Sequence, residues 1–141
     1  MKGKTGKFIL SVAAYLVLSM VMVSLWHFAF FKDHYESISI VRSEPLMQLG
    51  LVTMILQGCV LAFLYPVYSR HAKGSSVGKG LTFGLLMGIF LGTYLSLAEA
   101  GKYMVPSVWE WIAVEGSLSM IQFALVGVAL GFINSTTEPA T

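Results

Sequence analysis

Charge is what this sequence has least of. Asp, Glu, Lys and Arg make up 11% of its 141 residues, where a soluble domain carries about 25%. With 56% hydrophobic residues beside them, no water-facing coat can be assembled, which excludes an ordinary soluble domain. Cysteine is down to Cys59, inside an apolar run, so an internal disulfide and the paired-cysteine metal and redox motifs are excluded. The net charge of +2 is small and its lysines are dispersed, so no nucleic-acid partner is expected. G-x-S-x-G, H-E-x-x-H and Walker-loop patterns are missing too, and nothing in the chain calls for a cofactor or a metal. Enzymes of lipid-soluble substrates escape such motifs, so catalysis stays open at this stage.

What is present is apolar length. A membrane-crossing helix needs roughly 20 apolar residues, and four such windows fit, at about 8–31, 46–68, 80–98 and 109–133. Residues 1–141 are therefore expected to form a single integral membrane domain, all-α, a four-transmembrane-helix bundle in the lipid bilayer. Lys2, Lys4 and Lys7 before the first run also fit the start of a signal peptide. That run is too long for a signal core, however, and no A-x-A-like site follows it, so an anchor is expected. Trp26, His27, Tyr65, Tyr68, Trp109 and Trp111 fall near run ends, where amphipathic rings favour the membrane interface.

The connections differ in character. Lys32 to Pro45 is the most polar, with Asp33, His34, Tyr35, Glu36, Arg42 and Glu44, a brief Ser-Ile alternation at 37–40, and Pro45 suited to a first helical turn. Pro66 stands near the end of the second run, where a kink costs little, and Ser69 to Lys79 is a basic, flexible turn. Ser107 with Glu110 three residues on makes a capping-box pattern for the fourth helix. Counting Lys and Arg, the N-terminal segment and second connection hold Lys2, Lys4, Lys7, Arg70, Lys73 and Lys79, against Lys32, Arg42 and Lys102 in the other two. Both termini are accordingly expected to be cytoplasmic.

Within the third run, Gly80, Gly84, Gly88 and Gly92 recur every fourth residue, and Ser96 and Ala100 continue the row. That spacing lays a groove of small side chains along one helical face, which invites close backbone packing. Gly127 and Gly131 in the fourth run are the expected partner within the protomer; an interface between protomers is the alternative.

Glu115 is the sharpest polar candidate. It lies six residues past Trp109, and Ser119 and Gln122 share its helical face. A carboxylate at that depth is expected to be protonated, paired or facing a wet cavity. A proton or cation relay or a substrate contact is the functional reading, and a helix–helix hydrogen bond to Gln57 or Ser96 is the structural one. On the opposite side of the membrane from the termini, His27, Asp33, His34, Glu36 and Glu99 form a polar cluster. No compact metal spacing occurs among them, so water-binding interfacial groups are expected rather than a metal site. Met20, Met22, Met47, Met54, Met87, Met104 and Met120 form no repeated motif, which favours gap-filling over copper chemistry. Glu99 and Lys102 are spaced to pair locally.

The stretch WHFAFFKDHYESISIVRSEPLM (26–47) and the glycine-rich GKGLTFGLLMGIFLG (78–92) resemble the first loop and third span of small four-helix bacterial inner-membrane proteins of unknown function. The resemblance implies a four-helix fold in a bacterial inner membrane and nominates no catalytic residue. The function expected is a non-catalytic structural or accessory component, in a homo-oligomer or a larger membrane complex. The alternatives are a small transporter or channel using Glu115, and an enzyme of lipid-soluble substrates using the acids of the polar cluster.

Overall fold

The structure, a computed structural model of the chain, describes residues 3–38, 42, 44 and 46–135. Among these the order is α1 (Lys4–Leu25), a π-helical turn (Trp26–Phe30), α2 (Lys32–Glu36), α3 (Met47–His71), α4 (Ser76–Thr93), a second π-helical turn (Tyr94–Ala98) and α5 (Val108–Asn134). Four continuous helical segments, Lys4–Phe30, Met47–His71, Ser76–Ala98 and Val108–Asn134, are long and apolar enough to cross a membrane. The chain is thus all-helical among its described residues, with four candidate spans.

The helices pack in the order α3, α1, α5, α4, with the closest association between α4 and α5. The inner position of α5 is legible in its burial. Trp111, Val114, Glu115, Leu118, Ser119, Gln122, Phe123, Val126, Gly127, Leu130 and Gly131 are buried, a three-and-four spacing that covers one broad face. By contrast α1 buries Ser11, Tyr15 and Ser19 and turns its aliphatic residues outward. That inversion suits a lipid solvent, since small and polar side chains bring helices together while Leu and Val face acyl chains at no cost. Tyr15, Leu61, Tyr65, Phe83, Phe123, Val126 and Leu130 join all four spans into one core.

The glycines set the α4–α5 spacing. A Cβ on Gly80 or Gly84 would run into the carbonyl oxygen of Gly127 or Phe123, and one on Gly131 into that of Ser76. At Gly92 it would stand 2.9 Å from the Ser119 Cβ, and at Gly88 3.3 Å from the Met120 sulfur. Ser96 is buried on the same side and its hydroxyl donates back to the Gly92 carbonyl oxygen at 2.5 Å.

Several local expectations need correction. Lys32 to Glu36 is a turn of helix and not loop, because Phe31 ends the π turn and its carbonyl accepts from the Tyr35 N–H. Pro45 and the residues 39–40 of the Ser-Ile alternation lie outside the described residues. The second helix runs through Pro66 and past the expected end at Tyr68 to His71. Trp26 and Trp111 are buried packing residues: their indoles donate to the carbonyl oxygens of Val114 at 3.2 Å and Leu95 at 3.0 Å. Trp109, by contrast, is 81% exposed.

Candidate functional site

The polar residues divide between two places. At the end of the bundle where α1 and α4 finish and α5 begins, Glu115 is buried at 8% exposure. Its Oε1 accepts a 2.5 Å hydrogen bond from the Tyr35 hydroxyl. Tyr35 belongs to α2, which the Phe31 break folds back over this end of the bundle. Burial and the Glu115 carboxylate hold the Tyr35 phenol well above its ordinary range, so it remains a donor. The His27 ring stacks on Tyr35 with centroids 3.9 Å apart, its Nδ1–H donating to the Val23 carbonyl oxygen at 3.0 Å. Two aromatic rings and one short hydrogen bond therefore position a carboxylate that few waters reach.

His34, next along α2, makes the second attachment. Its Nδ1 lies 3.1 Å from Glu110 Oε1 and, facing a carboxylate that only accepts, carries the proton. Its side chain is only 7% exposed, and Nε2 is buried with no hydrogen-bond partner among the described residues. Glu110 sits in the first turn of α5, where Ser107 Oγ accepts its N–H at 3.3 Å. The capping serine is in place, but the Glu110 carboxylate is turned to His34, so only half of the capping-box pattern forms. Ile38 packs with Ala100 and Trp111 as the third attachment.

Glu99 follows the second π turn. Its carboxyl is held above the usual carboxylate range, chiefly by burial and then by the negative charge of Glu115, with Lys102 partly offsetting both. Lys102 does not pair with it at contact distance. The ammonium instead donates to the Tyr94 hydroxyl at 3.1 Å and lies 4.7 Å from that ring's centroid. Asp33 is exposed, and Glu36 makes only a 3.5 Å surface pair with Lys32, which solvent screens. Of the expected polar cluster, the structure thus brings His27, His34 and Glu99 towards Glu115 and leaves Asp33 and Glu36 outside. Among the described residues no three His, Cys, Asp or Glu side chains converge as metal ligands do.

The expected stripe of Glu115, Ser119, Gln122 and Gln57 is not one site. Gln122 Nε2 donates to Ser19 Oγ at 2.9 Å, and Gln57 Oε1 accepts from the Tyr15 hydroxyl at 2.5 Å. Ser119 packs against Gly92. Glu115 is bonded to neither Gln57 nor Ser96: Gln57 accepts from Tyr15, Ser96 donates to the Gly92 carbonyl oxygen, and it is Tyr35 that donates to Glu115. Ser11 receives a 3.3 Å hydrogen bond from Asn134 Nδ2. Sequence reasoning missed Ser11, Tyr15 and Ser19; their four-residue spacing along α1 was the available signal.

The two π turns lie at this same end. Phe31 N–H reaches back five residues to Trp26, and Glu99 N–H to Tyr94. The wider turn leaves the Leu95 carbonyl oxygen facing the Trp111 indole, an arrangement that recurs where helices are reshaped around function. Comparison of the chain with protein-family models, curated proteins and solved structures gives no match.

Proposed function

We propose that this protein is a non-catalytic, multi-pass component of a bacterial inner membrane, with both termini cytoplasmic, that acts as an accessory subunit of a membrane complex or as a homo-oligomer. One observation carries the reading: three pairs of polar side chains within the spans join neighbouring helices. Tyr15 binds Gln57, Ser19 binds Gln122, and Ser11 binds Asn134, the pattern of interhelical adhesion. The orientation is supported by the Lys and Arg count, Lys2, Lys4, Lys7, Arg70, Lys73 and Lys79 at one end against Lys32, Arg42 and Lys102 at the other. The test is the native mass of the protein, extracted gently from its own membrane. Partners in fixed ratio, or a defined homo-oligomer, support the proposal; a monomer without partners sinks it.

A second reading, a small transporter or channel, is favoured by Glu115 alone. This is a buried carboxylate held under a tyrosine with a second acid close enough to feel its charge, and intramembrane ionisable groups are commonly working groups. Proteoliposomes decide it: proton or cation flux lost in Glu115→Gln, with folding intact, supports transport.

A further inference from the structure

At the end of the bundle opposite Glu115, the close of α3 and the start of α4 enclose an open hollow of about 520 Å³. His71, Lys73 and Lys79 line it together with the hydroxyl-bearing Tyr68 and Thr82. Among the described residues no carboxylate takes part in this lining, which places two lysines and a histidine around one cavity. The walls are tied: Lys79 Nζ donates to the Ser69 carbonyl oxygen at 3.3 Å, and Tyr65 donates to that of Ser76 at 3.5 Å. Lys79 is therefore held at the rim by one of its three protons, with two free for a ligand. The first turn of α4 adds its partial positive charge.

The position of the hollow selects among anions. One helical turn further into the span from the lining residues Tyr68, His71 and Thr82, the apolar side chains of Leu64, Val67 and Leu86 are exposed. A cationic hollow that adjoins a lipid-facing apolar surface matches a molecule with a phosphate at one end and acyl chains at the other. We propose that this hollow is a binding site for an anionic phospholipid, whose phosphodiester is held by Lys73, Lys79 and His71 while its chains lie on α3 and α4. A soluble anion has the same phosphate chemistry but gains nothing from the apolar surface.

The full-length protein in phosphatidylcholine nanodiscs carrying graded phosphatidylglycerol tests this, with bound lipid counted by native mass spectrometry. Wild type should retain phosphatidylglycerol in preference to phosphatidylcholine. Lys73→Gln, which disturbs no described hydrogen bond, should weaken that preference about five-fold, and Lys73→Gln with Lys79→Gln by about twenty-five-fold. Arg70→Gln changes a neighbouring cation that does not line the hollow, so its loss should be clearly smaller than that of Lys73→Gln. An Arg70→Gln loss as large as that of Lys73→Gln would mean diffuse surface attraction and overturn the site. So would unchanged retention in the double variant. Inorganic phosphate provides the second arm: if it binds alone with the same dependence on Lys73 and displaces the lipid, the hollow is a soluble-anion site and the lipid assignment fails.

Discussion

Tyr35 and Glu115 stand 80 positions apart in the chain and are joined by a hydrogen bond of 2.5 Å. The contact fastens a short helix outside the spans to a carboxylate inside them. Removing the donor leaves a buried acceptor unsatisfied, at a cost of about 1–3 kcal/mol. Tyr35→Phe should therefore lower the thermal stability of the solubilised protein by that amount. Glu115→Gln keeps an oxygen that accepts from Tyr35 and should lose less. Equal stability of Tyr35→Phe and wild type would mean that the bond contributes nothing.

Alkaline pH tests the same bond from the other side. The folded phenol titrates above its ordinary value of 10.0, so the unfolded chain loses the Tyr35 proton first. Its contribution is whole below pH 10 and declines as pH rises beyond it. The stability gap between wild type and Tyr35→Phe should accordingly narrow above about pH 10, as read from unfolding midpoints across a pH series. A gap constant through pH 11 would contradict the assignment.

Glu99 has the opposite consequence near neutrality. Its folded carboxyl titrates above the ordinary 4.5, through burial and the charge of Glu115. Stability is complete while the group is protonated, below the unfolded value, and falls as pH rises through the folded one. Glu99→Gln should thus raise the unfolding midpoint at pH 7, with the advantage vanishing at the acid end. In a Glu115→Gln background the advantage should shrink, because one of its two causes is gone.

The glycines of α4 should not respond alike. Gly84→Ala drives a methyl into the Phe123 carbonyl oxygen, a backbone atom that cannot step aside, whereas at Gly88 the nearest atoms, the Met120 sulfur and the Ser119 carbonyl oxygen, both stand off at 3.3 Å. Overpacking of this kind costs about 1–3 kcal/mol. Gly84→Ala and Gly127→Ala should therefore be destabilised by that range or more, and Gly88→Ala should lose clearly less. Indistinguishable melting of Gly84→Ala and Gly88→Ala would refute the α4–α5 packing.

Gln122 and Ser19 allow the adhesive role of the buried amides to be measured. A double-mutant cycle with Gln122→Leu and Ser19→Ala should return a coupling of about 0.6 kcal/mol, the usual worth of such a bond within a membrane bundle. Zero coupling would leave their 2.9 Å contact without energetic weight.

By itself the sequence determined the four apolar helices and the small-residue face of α4. It also determined the opposed charge of the two ends. These are local properties: length and hydropathy decide whether a segment can satisfy its backbone in lipid, and a four-residue spacing places Gly80, Gly84, Gly88 and Gly92 on one face whatever surrounds them. Only the tertiary structure decided which faces meet. It set α5 between α1 and α4, turned Trp26 and Trp111 inward, and divided Glu115, Gln122 and Gln57 among three partners. A polar side chain in lipid must find a partner, but hydropathy does not say which one; the partner is fixed by the crossing of helices whose contacts lie scores of residues apart.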